Sequence, residues 1–208
     1  MAALRLTVCA LALLFCTMPG TAKASPSEDT ATVFITKLVD EAVNNVIGGK
    51  LTQDQKEERF RQLFVEAADI PKIASFVVGR EWRRLKPDEK NQFIELLEDV
   101  SVLTWISHLE EYKGLKIKIT GAYTDRSDVF VESGIALASG SPIPIVWRVQ
   151  KHKDGHLKLI DIIIEANSML INTRKQYASV MKREGGISGL IASLKNMRAT
   201  LRNERSAK

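Results

Sequence analysis

The hydrophobic period of this chain changes twice. Up to Gly114 the apolar residues recur at helical spacing, from Leu115 to about Glu165 they alternate or run together in short bursts between turn signals, and from Ser168 the helical spacing returns. Strands gathered in the middle, with helices on either side, do not supply the alternating units that build a parallel sheet. The pattern predicts an α+β fold, with N- and C-terminal helices packed on a four-stranded antiparallel sheet.

The helical boundaries are marked by their caps. Ser27 caps a helix from about Glu28 to Ile47, ended by Gly48-Gly49, with Ile35, Leu38, Val39, Ala42 and Val46 on its apolar stripe. Thr52 followed by Gln55 is a capping box for a second helix, striped with Phe60, Leu63, Phe64 and Ala67. Asp69-Ile70-Pro71 restarts a short helix that Gly79 stops, and Lys86-Pro87-Asp88 opens a long one ending near Gly114. In the C-terminal third, helix runs from Ser168 to about Glu184, breaks at Gly185-Gly186 and resumes with Ile187, Leu190 and Leu194, leaving Arg202 to Lys208 as a frayed tail.

Between them, Leu115, Ile117 and Ile119 alternate with polar residues in a first strand, and Val129 and Val131 begin a second. A turn near Ser139 to Pro142 leads to a third strand with Ile145, Trp147 and Val149 on one face. Lys153-Asp154-Gly155 turns into a fourth, Leu157 to Glu165, whose unbroken apolar end predicts cover on both sides.

The first 24 residues read as a signal peptide. Arg5 precedes an apolar run from Leu6 to Phe15, too short to span a bilayer, and Ala22-Lys23-Ala24 fits cleavage after Ala24, leaving 25–208 as one exported, soluble domain. Lysine and arginine outnumber aspartate and glutamate 30 to 25; without Arg5 and Lys23 the excess is three, interleaved with acids, which argues against a nucleic-acid partner. Both cysteines, Cys9 and Cys16, fall in the leader, so the mature chain has no thiol nucleophile, disulfide or cysteine metal site.

Catalytic chemistry finds little support. His152 and His156 flank a hairpin tip with no third ligand placed by spacing, so no metal is assigned. His108, late in the long helix, reads as a surface histidine, and Ser168 lacks a nucleophile elbow and reads as a helix cap. Neither Gly-Gly pair is followed by the lysine and hydroxyl residue of a phosphate loop. The chain is read as a non-enzyme without cofactor, with two rivals left open: a small enzyme using Asp161 or His156, and a chaperone for hydrophobic polypeptide.

One ordered set of residues carries a resemblance. Asp161, Glu165-Ala166-Asn167-Ser168-Met169, Asn172, Arg174 and Gln176-Tyr177, then Gly186-Ile187 and Gly189-Leu190-Ile191, follow Phe60-Arg61, Asp69-Ile70, Val77-Val78-Gly79-Arg80, Trp82, Pro87 and Phe93. In that order they resemble the MlaC or toluene-tolerance family of periplasmic lipid carriers, including its hopanoid-associated branch. The chain departs from the pattern at Ala166 and Asn167, where a glycine and an apolar residue are usual.

The resemblance implies a curved antiparallel sheet and helices enclosing an apolar cavity. It implies a phospholipid or related lipid as cargo, carried between an inner-membrane ABC transporter complex with a substrate-binding ring and an outer-membrane lipoprotein complex. The residues expected to meet the lipid are Val78, Trp82, Leu97, Val100 and Trp105 on helices, Ile145, Trp147 and Val149 on the third strand, and Ile162, Ile164 and Met169 at the strand-to-helix corner. The alternative for each of them is ordinary core. Arg80, Arg83 and Arg84 beside Trp82 read as a solvated charged face.

Overall fold

A computed structural model describes residues 27–111, 114, 116–137 and 140–207. The expected leader, both cysteines, Leu115 and Ser139 lie outside the described residues. The elements in chain order are α1 (Glu28–Asp40), a π-helical segment (Glu41–Ile47), α2 (Gln53–Ala67), α3 (Ile70–Val78), a 3-10 segment (Gly79–Arg84) and α4 (Pro87–Glu111). Then come β1 (Ile117–Asp125), β2 (Asp128–Ile135), β3 (Ile143–Lys151), β4 (Leu157–Ile164), β5 (Asn167–Ser168), α5 (Met169–Arg183) and α6 (Ile187–Ser206). No described helix is long and apolar enough to cross a membrane.

The caps read from sequence are made. The Ser27 hydroxyl accepts from Thr30 N–H, Thr52 and Gln55 close a reciprocal capping box, and Asp69 and Ser168 accept from Lys72 and Ile171 N–H. The first helix is not uniform. At Glu41 its hydrogen bonds lengthen to π spacing, with Gly48 N–H donating to Val43 O at 2.9 Å, and Asn45 spans the wide turn to Glu41 Oε2 at 2.6 Å. An apolar stripe has no signature for that change of pitch.

The sheet is an open antiparallel meander of five strands in the order β1-β2-β3-β4-β5, not four. The fifth is a two-residue strand, Ile163 and Ile164 pairing with Ser168 and Asn167. Because it is only the N-cap of α5 and its neighbour, no run of alternating residues announces it. The turn joining it to β4 holds Glu165 at φ 48° and Ala166 at φ 63°, the left-handed pair of a two-residue hairpin. Left-handed backbone costs an L-residue about 1–2 kcal/mol, part of which glycine forfeits again through its freer unfolded chain. Ala166→Gly is therefore expected to raise stability by about 0.5–1 kcal/mol, measured as a midpoint shift in thermal or urea unfolding.

Two bulges decide which side chains face inward. In β1 the register slips between Ile119 and Gly121, so that Ala122 rather than Gly121 lies opposite Val131. In β4 one extra residue sits between Leu159 and Asp161 as they face Val149 and Arg148. That residue, Ile160, packs with the helical core, while Leu159, Ile162 and Ile164 pack with the sheet core. The bulge thus gives this strand cover on both sides at Leu159 and Ile160, whereas the apolar end from Ile162 to Ile164, expected to be covered on both sides, is half-buried.

The interior forms three clusters. One lies between α1 and the inner sheet face, with Ile35, Val131 and Val149 at its centre. A second joins α3, α4, α5 and α6 around Phe93, whose ring meets Trp82 and Tyr177 edge-on at 6.2 and 6.1 Å. The third is smaller and joins the π segment, α2 and α4 through Val46, Phe60 and Ile106.

The expected frayed tail is instead docked. Helix α6 continues to Ser206, and the Arg205 guanidinium, 10% exposed, reaches Gln53 O at 3.2 Å and Glu57 Oε2 at 3.5 Å. Farther along, Arg61 of α2 pairs with Glu98 and Asp99 of α4 at 2.9 and 2.8 Å, and Arg198 of α6 adds a bond to Asp99 at 3.0 Å. Interleaved charges that look like a solvated face in sequence here clamp three helices together.

Candidate functional site

The sheet cluster and the small helical cluster do not close fully on each other. An apolar chamber of about 130 Å³ lies between them. Its floor is the inner sheet face, where Ile145 stands opposite Ile164 and Trp147 opposite Ile162. Its walls are Leu38 and Val39 of α1, Ala42 and Val43 of the π segment, Phe60, Leu63 and Ala67 of α2, and Trp105 and Leu109 of α4. Apart from the exposed His108, every lining side chain is hydrocarbon or aromatic. Where α2 ends, Ala67 and Ala68 present only methyl groups to this space, while the backbone reaches the sheet, Asp69 N–H donating to Leu159 O at 3.1 Å.

Trp147 brings a buried polar group to this wall, and it is satisfied. Its indole N–H donates to Ser133 Oγ at 2.8 Å, and the Ser133 hydroxyl donates to Ile145 O at 3.2 Å. This chain of bonds fixes the indole and satisfies its buried N–H.

A second chamber of about 390 Å³ lies on the other side of Phe64, Trp105 and Ile162, which line both spaces together with Ala68, His108 and Leu159. It runs between α3, α4, α5 and β4. Its lining is mixed: Leu97, Val100 and Met169 are apolar, whereas Ser101, Thr104, Asn172 and Gln176 are not.

The residues expected to meet a ligand therefore separate into two sets. Ile145, Trp147 and Ile164 line the first chamber, Leu97, Val100 and Met169 the second, and Trp105 and Ile162 both. Val78, Trp82 and Val149 line neither chamber. Val78 and Trp82 pack in the Phe93 cluster, where Lys90 sits over the indole of Trp82 at 5.7 Å, and Val149 is fully buried against α1 and the sheet. Sequence reading missed Leu38, Ala42, Phe60, Leu63 and Ala67 as lining residues. All stand on apolar stripes visible in the sequence, but a stripe does not say whether its neighbour fills the space in front of it.

The candidates for chemistry are otherwise employed. Asp161 is 7% exposed; its Oδ1 accepts from Leu170 N–H at 2.9 Å and its Oδ2 from the Ser168 hydroxyl, so both oxygens serve the start of α5. His152 and His156 close the β3–β4 hairpin, with His152 N–H donating to His156 O at 2.8 Å and Asp154 Oδ2 3.0 Å from His152 Nδ1. The backbone N–H of His156, then the histidine side chain at 152, hold the Asp154 carboxyl below its usual range. Among the described residues no group of three or more histidine, cysteine or acidic side chains is placed to hold a metal. Arg80, Arg83 and Arg84 are exposed, Arg84 bonded to Glu81 at 3.0 Å.

No curated protein matches the chain. Among solved structures, it is similar to one described as the phospholipid-binding protein from Ralstonia solanacearum in complex with a phospholipid, at 22% identity and a TM-score of 0.71, covering 83% of this chain and 98% of that one. The likeness shows a shared fold. The family model described as MlaC protein matches residues 36–196, from the last turn of α1 to the middle of α6, which takes in the lining of both chambers except Met197, and the chain belongs to the MlaC family.

Proposed function

We propose that this protein is a lipid carrier of the periplasm, the solute-binding component of an ABC-type transport system, with a phospholipid as cargo. The observation that carries the reading is the first chamber: a space between sheet and helices whose described lining, apart from His108, is hydrocarbon and aromatic. The Ralstonia protein of the same fold is described in complex with a phospholipid, and this supports the same class of cargo here.

The physics favours a shielded route. Roughly 30 methylenes at about 0.8 kcal/mol each resist entering water by about 24 kcal/mol, so free passage across an aqueous gap is slow. Transfer from a membrane to an apolar chamber exchanges one hydrocarbon surrounding for another, and those large terms mostly cancel. Loading is then nearly balanced, and the docking partners, an inner-membrane complex and an outer-membrane lipoprotein complex, set its direction.

The chamber is smaller than two acyl chains need, so cargo enters by displacing a wall. The sheet cluster and the helical clusters meet at the chamber rather than interlocking across it. Outward movement of the α1–π–α2 side separates α1 from the sheet and opens the Arg61 and Arg205 ion pairs, and leaves the ring contacts of Phe93 in place. Mass spectrometry of organic extracts from the mature protein is expected to recover phospholipid. Recovery of none, with no uptake from labelled liposomes, overturns the reading.

A further inference from the structure

Thr104, on the α4 face toward the second chamber, has a hydroxyl oxygen that is buried and has no hydrogen-bond partner in the protein. A helical serine or threonine ordinarily bonds back to the carbonyl four residues before it, as Ser107 does to Leu103 O at 3.0 Å one turn later. Thr104 does not. Around it the chamber presents Ser101 from the same helix and Asn172, Thr173, Gln176 and Tyr177 from α5, all groups able to donate a hydrogen bond. Burial pushes the Tyr177 phenol up to about 12, so it remains a protonated donor.

Positive charge is missing from this set. Among the described residues no lysine or arginine lines either chamber, and the acidic group that does, Asp161, is already the acceptor for Leu170 N–H and the Ser168 hydroxyl. A phosphate brought into this space would lose its water without gaining a cation and would face a carboxylate. An uncharged acceptor meets neither penalty. It would also lie next to the hydrocarbon chamber, because Phe64, Trp105 and Ile162 form a wall common to both spaces.

Resting on the lipid-carrier reading, we infer that the second chamber is a subsite for the ester carbonyls that join the acyl chains of a lipid to its glycerol. Thr104 is the specificity-determining donor, the acyl chains continue past Trp105 into the first chamber, and the phosphate stays outside.

The test loads the mature protein from vesicles containing equal amounts of a diester phosphatidylglycerol and its diether counterpart with the same chains, followed by mass spectrometry of the retained lipid. The wild type is expected to retain the diester in about three- to tenfold excess, the worth of one net hydrogen bond. Thr104→Val keeps the shape but not the hydroxyl and is expected to bring the ratio to about one, while Thr104→Ser preserves it. Equal retention by the wild type, or a diester preference that survives in Thr104→Val with an unchanged melting curve, overturns the inference and leaves the carrier reading standing. If the wild type retains neither lipid, the carrier reading itself fails. Should Thr104→Val not fold, the wild-type ratio and the Thr104→Ser ratio decide alone.

Discussion

Ala67→Phe is expected to remove lipid uptake while leaving the fold intact. Ala67 ends α2, is 4% exposed and forms part of the first chamber's wall. A phenyl ring there projects into existing space, so the usual penalty of about 1–3 kcal/mol for overpacking is reduced and the ring gains apolar contact instead. For a lipid the same ring is an obstruction. Excluding only three methylenes at about 0.8 kcal/mol each costs about 2.4 kcal/mol, or roughly fiftyfold in affinity. Uptake from labelled liposomes and thermal unfolding, measured on the same preparation, separate the outcomes. Loss of uptake with a nearly unchanged melting temperature is the expected result; unchanged uptake would mean that acyl chains do not occupy this chamber.

The second prediction has the opposite signature. Phe93 is fully buried, binds Trp82 and Tyr177 edge-on, and lines neither chamber. Phe93→Ala leaves a cavity where α4, α5 and the 3-10 segment meet, and is expected to cost about 3–5 kcal/mol. For a domain of this size that is a fall of roughly 10 °C in melting temperature. Lipid uptake by the folded protein at low temperature should change little. A loss of uptake as large as that of Ala67→Phe would join the two regions into a single functional unit and contradict the separation of the clusters.

These two variants differ in a way that hydropathy cannot express. Ala67 and Phe93 both lie on apolar stripes of amphipathic helices, and each stripe is legible in the sequence. One faces a gap and the other a filled core. The difference arises from what stands across from each: the inner sheet face, reached from sequence positions about 80 residues away, or the rings of Trp82 and Tyr177. For the same reason Val78, Trp82 and Val149 looked no different from Trp105 or Ile145 before the fold was known.

Local chemistry was enough for much of the architecture. The change of apolar period sets the order of helices and strands, and the hydroxyl, carboxylate and glycine positions at the helix ends set most of the boundaries, because capping is satisfied within three or four residues. At Ala166, where the resemblance leads one to expect a glycine, the structure holds a left-handed backbone, which the sequence by itself did not announce. The family followed from the order of such positions. Only the assembled structure decided the fifth strand, the bulges at β1 and β4, the π turn at Glu41, the docking of Arg205 and the two chambers. The fifth strand and the π turn are local but carry no pattern of apolar residues, whereas the others depend on partners in other elements: a bulge on the register of the neighbouring strand, an ion pair on another helix, a hollow on side chains that fail to meet. Periodicity says which face of an element turns inward. Whether that face finds matter or space is settled by packing.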